Sequence, residues 1–480
     1  MNWKERAIQS LNNSLHPVPQ ELNEIDWKSD LSEKSDRLAQ HLSAFANQKN
    51  GGFLVFGVNN NASMFSITKE QADDIVQKLG NIARNSLEQP VALDHATIEF
   101  EGYSLLFFHV PESIEKPVHL RGKTIYDSYC RSAGQTRLMS QNEVKFLISA
   151  SLGIPFEKQI ARENLTADHI LELLNYKKFF ELIDKNVPSA SDTILNNLRE
   201  YGFCKFEDEQ WKITNLGAIL FATNLSNFPH LKGKSVVVRK YVGTNNRDME
   251  FEQIGQYGYA IGFEKLIDYI MTHTQKGETR DVVRTNEYIY PRVAIREFVA
   301  NALIHQDFTI IGMPITIEIF SNRLAITNPG APLNDINRLI DLPPYSRNEA
   351  LADTMLLFHF CEKRGSGVDY AIEAIEEKGL PPVEFTKGEQ HTKIFLFPKK
   401  RLSEMTKEEK VMACYQHACL LYEDRKPINN QSVRERFGID KNSSSVASRI
   451  IADTVEAGLI KLSDENNASK KFVSYLPFYG

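Results

Sequence analysis

Cysteine is scarce: there are five in 480 residues, an odd number, scattered as Cys130, Cys204, Cys361, Cys414 and Cys419. None forms a Cys-x-x-Cys pair or meets a histidine at zinc spacing, so a disulfide scaffold and a structural zinc site are both excluded and reduced thiols are expected. No run approaches the roughly 18–20 apolar residues that span a bilayer. Met1–Ser10 also lacks the apolar stretch of a signal peptide. A cytoplasmic location without a membrane partner is the expectation. Positive charge is not in excess: 56 Lys and Arg face 62 Asp and Glu, a net charge of −6. Any nucleic-acid site must therefore be a local patch rather than a property of the whole chain. No internal repeat or low-complexity tract is visible, which excludes a solenoid.

What is present suits a multidomain globular protein. Hydrophobic residues make up 42% of the chain, enough for several cores. At roughly 100–200 residues per domain the length implies three or four domains. Changes of pattern predict an α+β multidomain fold in four segments: 1–152, an α/β unit; 153–286, a mixed connector; 287–398, an α/β sandwich; and 405–480, short and mainly helical. The elements predicted include helices at Ser35–Asn50, Ala167–Asn175 and Ala190–Tyr201, and strands at Phe53–Val58, Ser104–Val110 and Ser235–Tyr241.

Apolar residues recur at helical spacing between Arg292 and Gln306, leaving Glu297, Asn301 and His305 in register on one face. A carboxylate one turn before a carboxamide suits a site where Asn holds hydrated magnesium and Glu orients a water toward a phosphate. An alternating hairpin follows (Pro314–Phe320, Leu324–Thr327), then Asn328-Pro329-Gly330. Further on, the Lys363–Gly367 turn precedes a helical stretch, where backbone amides can cradle phosphate. In this order the segment resembles the divergent histidine-kinase-like ATPase domain of the gyrase/Hsp90/kinase fold, a Bergerat-like sandwich, in the branch found in bacterial transcriptional regulators. The resemblance implies ATP or ADP with Mg2+, with Asn301 on the metal, Glu297 as the water-orienting base, and Gly365 and Gly367 as lid glycines. It also marks a departure. Active ATPases carry Asp-x-Gly against the adenine amino group, whereas this chain has Asn328 and Gly330, and a neutral amide oxygen accepts a weaker bond than a carboxylate. The alternative is a scaffold that holds no nucleotide.

In the first segment Glu21, Glu24 and Asp26 cluster near Lys28. Alternation around Ile25 and Trp27 predicts a strand with Asp26 and Lys28 on one face. Carboxylates beside a lysine can hold a divalent ion against a scissile phosphate; the bland alternative is a solvated strand edge. With Ser43-Ala-Phe-Ala-Asn…Gly-Gly-Phe-Leu-Val-Phe-Gly-Val58, Pro117–Lys123 and Arg131–Arg137, this stretch resembles the Schlafen AlbA_2 domain over about Glu21–Ser149. The resemblance implies a nuclease triad whose first two acids are Glu21 and Asp26, here the metal ligands, with Lys28 beside them. Its third acid is replaced by Asn59-Asn60-Asn61. Arg121, Lys123, Arg131 and Arg137 are expected to contact nucleic acid without chemistry.

Near the C-terminus a helix over Gln431–Phe437, a turn at Gly438, a helix over Ser443–Ala457 and two short strands predict a winged helix-turn-helix. Lys441, Ser443–Ser445 and Arg449 are its groove-facing candidates, with Lys470 and Lys471 at the wing. From Met405 on, 11 Lys and Arg face 10 Asp and Glu, a weak footprint for DNA. Three readings follow. The first is a cytosolic regulator binding DNA or structured RNA and a purine nucleotide, with weak ATPase activity at most. The second is a Schlafen-like, metal-dependent RNA endonuclease, in antiphage defence. The third is an assembly protein, homo-oligomeric or docked to a protein partner through its winged helix.

Overall fold

A computed structural model describes every residue except 1, 17–18, 32–34, 133, 152, 276–287, 344, 362–365 and 465–472. The chain divides into two units, Met1–Pro155 and Phe156–Gly480.

The first unit runs α1 (Trp3–Leu15), β1 (Ile25–Lys28), α2 (Ser35–Asn47), β2 (Gly52–Phe56), α3 (Lys69–Asn85), β3 (Asp94–Phe100), β4 (Tyr103–Val110), β5 (Tyr129–Ser132), β6 (Gln135–Leu138) and α4 (Gln141–Ser151). Its sheet has the order β1-β2-β4-β3, with β1 parallel to β2 and the other pairs antiparallel. β2 is apolar at each position after Gly52 because helices cover both faces. Phe53 and Val55 pack with Ala7 and Leu11 of α1, and Leu54 and Phe56 pack with Leu42 and Phe45 of α2. Gly52 is required by this approach, since a Cβ there would lie 2.0 Å from the Phe45 ring. Alternation on β1 sends Ile25 and Trp27 into the α1 side of the core, so Asp26 and Lys28 project the other way.

The second unit begins with β7 (Ile160–Leu165), α5 (Ala167–Leu173), α6 (Tyr176–Leu182), α7 (Ser191–Glu200), β8 (Cys204–Glu207), β9 (Gln210–Thr214) and α8 (Asn215–Phe221). It continues through β10 (Val237–Tyr241), β11 (Met249–Ile254), α9 (Tyr259–His273), α10 (Arg292–His305), β12 (Thr316–Ile319), β13 (Leu324–Pro329), α11 (Glu349–Leu357), α12 (Gly367–Glu377), β14 (Glu384–Lys387) and β15 (His391–Leu396). It ends with α13 (Lys407–Glu423), α14 (Asn430–Phe437), α15 (Ser444–Glu456), β16 (Ile460–Leu462) and β17 (Tyr475–Pro477). A three-stranded sheet has the order β7-β9-β8, and a six-stranded sheet the order β11-β10-β12-β13-β15-β14.

The α+β class expected from the sequence is the observed one. The boundary drawn between 286 and 287 needs correction. β10 pairs in parallel with β12, so connector and sandwich share one sheet. One hydrophobic core runs from Leu165 through Phe298 and Ile372 to Ile460. The physical reason is that an unpaired β12 edge would leave its backbone N–H and C=O groups without partners, and the ladder to β10 supplies them. The last helices belong to the same core: Gln416 of α13 makes two hydrogen bonds to the backbone of Val383, at 3.2 and 2.7 Å. α14 ends at Gly438 in the left-handed conformation (φ 62°), the usual role of glycine after a helix. α15 follows, and β16 pairs antiparallel with β17.

Candidate nucleotide site and N-terminal ion-pair cluster

Separated stretches of the second unit enclose a cavity of about 440 Å³. Glu297, Asn301 and His305 of α10, Asn328 of β13, Arg347 before α11 and Gly367 at the start of α12 all line it. The helical register read from the sequence thus puts its three polar groups on one wall. Glu297 is buried, and its Oε1 accepts a hydrogen bond from Asn301 Nδ2 at 3.1 Å. That bond holds the Asn301 amide against the Glu297 carboxylate. Gly367 lies so near that a Cβ on it would stand 1.8 Å from Glu297 Oε1. Gly365 lies outside the described residues.

At the other end of α10, burial and then the charge of Arg347 push the His305 pKa down to about 4, so its imidazole is neutral at physiological pH. Arg347 donates to the His305 carbonyl at 2.8 Å and to the Ala331 carbonyl at 2.9 Å. Asn348 Nδ2 donates to the carbonyls of Ile304 and Gln306, both at 2.7 Å. Together they satisfy carbonyls that the end of α10 leaves open. Gly330 follows β13 with φ 108°, and a Cβ there would lie 2.4 Å from Arg347 Nη1. Glycine is needed on both counts. Asn328 is buried, with Nδ2 3.4 Å from the Pro329 carbonyl. Arg347 and Asn348 escaped the sequence reading because they sit in an irregular segment with no period.

In the first unit the strand edge is covered rather than solvated. Asp26 is 1% exposed. Its carboxylate lies 3.2 Å from Lys28 Nζ, 2.8 Å from His41 Nδ1 and 3.6 Å from Arg131 Nη1. Arg131 Nη2 is 4.0 Å from Glu21 and donates to the carbonyls of Leu22 and Ile25. Burial works against ionisation of Asp26, but hydrogen bonds from His41 and Glu21 and the charge of Lys28 hold its pKa below the usual carboxylate range. Burial, and then the bond and charge of Asp26, raise Glu21 to about 7.

These residues do not fit a divalent ion. Lys28 and Arg131 already balance Glu21 and Asp26, and the turn after β2 offers only neutral amides, with Asn59 Nδ2 bonded to Ser63 Oγ at 2.9 Å. Among the described residues no group of three or more His, Cys, Asp or Glu is placed to hold a metal. The assignment of Glu21 and Asp26 as metal ligands is therefore not supported by the chemistry of the donor set.

Arg131 is a further correction. Its side chain is fully buried, so it neutralises Asp26 and cannot reach a phosphate. Arg137 is held by Glu143 through two bonds, at 2.6 and 3.0 Å. Arg121 and Lys123 are exposed. On the C-terminal helices Lys441, Ser443–Ser445 and Arg449 are exposed together, while Lys470 and Lys471 lie outside the described residues. His41 was missed, although its signal was present: it shares the apolar face of Leu38, Leu42 and Phe45 on α2.

Two stretches match family models. Residues 21–140 match the Schlafen AlbA_2 model, and residues 312–396 match HATPase_c_4, described as "Putative ATP-dependent DNA helicase recG C-terminal". The chain thus carries a Schlafen AlbA_2 domain and a RecG-like domain of the HATPase_c_4 kind. The second match includes Asn328, Gly330 and Gly367 and starts after Glu297, Asn301 and His305. Among solved structures, the chain is similar to the DIP2311 protein from Corynebacterium diphtheriae at 17% identity, covering 99% of this chain and 96% of that one, with a TM-score of 0.42. It is also similar to the N-terminal domain of "Putative ATP-dependent DNA Helicase RecG-related Protein" from Nitrosomonas europaea at 19% identity, covering 29% of this chain and 97% of that one, with a TM-score of 0.20. No curated protein matches the chain. Among the described residues no helix is long and apolar enough to cross a membrane.

Proposed function

We propose that the chain is a nucleic-acid-binding regulator that holds a purine nucleotide with magnesium in the cavity of its second unit. One observation carries this reading: Glu297 and Asn301 of α10, Asn328 of β13 and Gly367 of α12 line one cavity, and a side chain at Gly367 would fill the space against Glu297. A cavity of this size, with a few convergent polar groups, is of the kind that takes small ligands. Asn301 Oδ1 is the protein's acceptor for a hydrated magnesium ion, which when bound would neutralise phosphate charge. Glu297, fixed by Asn301, is the group that would orient a water. Gly367 lets the start of α12 come close to an anion, where its amides and helix dipole favour negative charge.

Nucleic-acid binding rests on the AlbA_2 match, with Arg121 and Lys123 as its exposed cations, and on the exposed face of Lys441 and Arg449. In this reading the C-terminal helices and hairpin act as a winged helix. Titration calorimetry with purine nucleoside diphosphates and magnesium tests the nucleotide site. Micromolar to millimolar binding, about −8 to −4 kcal/mol, is expected and Asn301→Ala should weaken it sharply. Absence of heat and of any thermal shift would reduce the cavity to a scaffold feature.

A further inference from the structure

A second, smaller cavity of about 180 Å³ lies in the second unit, lined by residues of α12, β14 and α13 and by the segment 336–340. Among the described residues it shares only Leu339 and Phe385 with the first. Ile340, Ile372 and Val383 are its buried lining, with Phe397 and Met412 half-buried beside them. The polar groups of this lining are already used. The Tyr415 hydroxyl donates to the Asn337 carbonyl, and the Gln416 amide bonds to the Val383 backbone through both its oxygen and its nitrogen. An apolar space that offers water few partners stays dry, and one of about 150 Å³ holds a benzene ring. The charged groups of the lining are of one sign. Glu384, Glu408 and Glu409 line the cavity, and among the described residues no lysine, arginine or histidine does. Glu409 is paired with Lys400, whereas Glu384 and Glu408 enter no ion pair among the described residues. Both are exposed. Bonds from its own amide and from Thr406 hold Glu408 below the usual carboxylate range.

We propose that this cavity is a binding site for a small organic cation, an ammonium group carried on a single ring or a short aliphatic chain. The site is independent of the nucleotide reading above. The ring or chain takes the dry apolar lining, where burial of apolar surface supplies the affinity, and the ammonium meets the exposed carboxylates of Glu384 and Glu408. A cleft lined by charge of one sign over low-dielectric walls concentrates counter-ions. An anion of the same shape meets like charge instead, which rejects it. The volume is too small for a peptide segment, so the occupant is a free small molecule.

The full-length protein would be titrated calorimetrically with benzylamine, benzyl alcohol and benzoate, which share a ring and differ in charge. The expected result is saturable binding of benzylamine, at least tenfold tighter than benzyl alcohol, with no binding of benzoate. Glu384→Gln together with Glu408→Gln should bring benzylamine down to the level of benzyl alcohol. Met412→Trp, which fills the cavity, should lose both. Its melting curve is compared with wild type, and the double glutamine variant, changed only at exposed positions, carries the test should the tryptophan variant unfold. Benzylamine that gives no saturable heat, benzoate bound as tightly as benzylamine, or benzylamine affinity unchanged in the double variant would overturn the proposal. Full binding by a folded Met412→Trp protein would overturn it too, since the ligand would then sit elsewhere.

Discussion

Gly367 and Glu297 meet so closely that one added carbon on the glycine would stand 1.8 Å from the glutamate Oε1. The start of α12 and the middle of α10 thereby approach closely, with the buried Glu297 carboxylate of α10 against the start of α12. Gly367 has no left-handed backbone that a side chain would strain, so the effect of Gly367→Ala comes from the contact alone. Overpacking of this kind costs about 1–3 kcal/mol. In urea denaturation Gly367→Ala should lose that much, and the double variant Gly367→Ala with Glu297→Ala should recover most of it. Equal losses in the single and double variants would mean that Glu297 is not the obstacle.

Arg131 gives the sharpest contrast between a structural and a binding cation. Its side chain is fully buried beside Asp26, whereas Arg121 and Lys123 are exposed. Removing one partner of a buried pair costs about 3–5 kcal/mol. Arg131→Met should therefore unfold the first unit at lower denaturant. Arg121→Ala with Lys123→Ala should leave stability within about 0.5 kcal/mol while weakening RNA binding and flattening its salt dependence. If Arg131→Met melts like wild type, the buried-pair account is wrong.

The sequence showed regular elements well and convergence poorly. The helix expected over Arg292–Gln306 is α10, Arg292–His305, with nine of its residues buried on nearly all sides of the helix. The strand expected at Phe53–Val58 is β2, Gly52–Phe56. Asp26 looked exposed, since a four-residue strand carries no information about what will cover it. The cover comes from His41 on α2 and from Arg131 on β5, more than a hundred residues away. Arg347 was invisible for the same reason: its role depends on the end of α10 and on the turn after β13 arriving at one point.

Glu21 sets a pH dependence with a definite sign. Its folded pKa, about 7, lies above its ordinary value of 4.5, so the folded state binds more protons between those limits. The favourable contribution of protonated Glu21 is fully present below about pH 4.5 and is lost as pH rises through 7. Asp26 has the opposite sign, and its contribution is lost only in strong acid. Glu21→Gln should thus raise the melting temperature more at pH 8 than at pH 5. Equal shifts at the two pH values would show that Glu21 titrates normally.

The exposed row Lys441, Ser444, Ser445 and Arg449 separates a DNA-reading from a protein-docking role. If α15 enters a groove, Arg449→Ala and Lys441→Ala each weaken duplex binding, and phosphate contacts show as a shallower slope of log K against log salt. Gel shifts identical to wild type for both variants would favour docking.

The end of α12 opposite the cavity is tied to the last helices by a second, partly buried cluster. Glu376 Oε1 lies 2.6 Å from His417 Nδ1 on α13, and Glu376 Oε2 lies 3.2 Å from Arg436 Nε on α14. Arg436 also donates to the Leu380 carbonyl at 2.9 Å, and burial lowers its pKa. With one continuous core running into α15, the C-terminal helices should melt together with the sheet in a single transition. Arg436→Met alone leaves Glu376 short of a cation and should cost about 3–5 kcal/mol. Adding Glu376→Gln removes the stranded charge, so the double variant should be more stable than Arg436→Met alone, with a coupling of about 0.5–3 kcal/mol. Additive losses would show that Glu376 and Arg436 act independently. A separate low-temperature transition for residues after Lys407 in the wild-type protein would show that the C-terminal helices are a domain of their own.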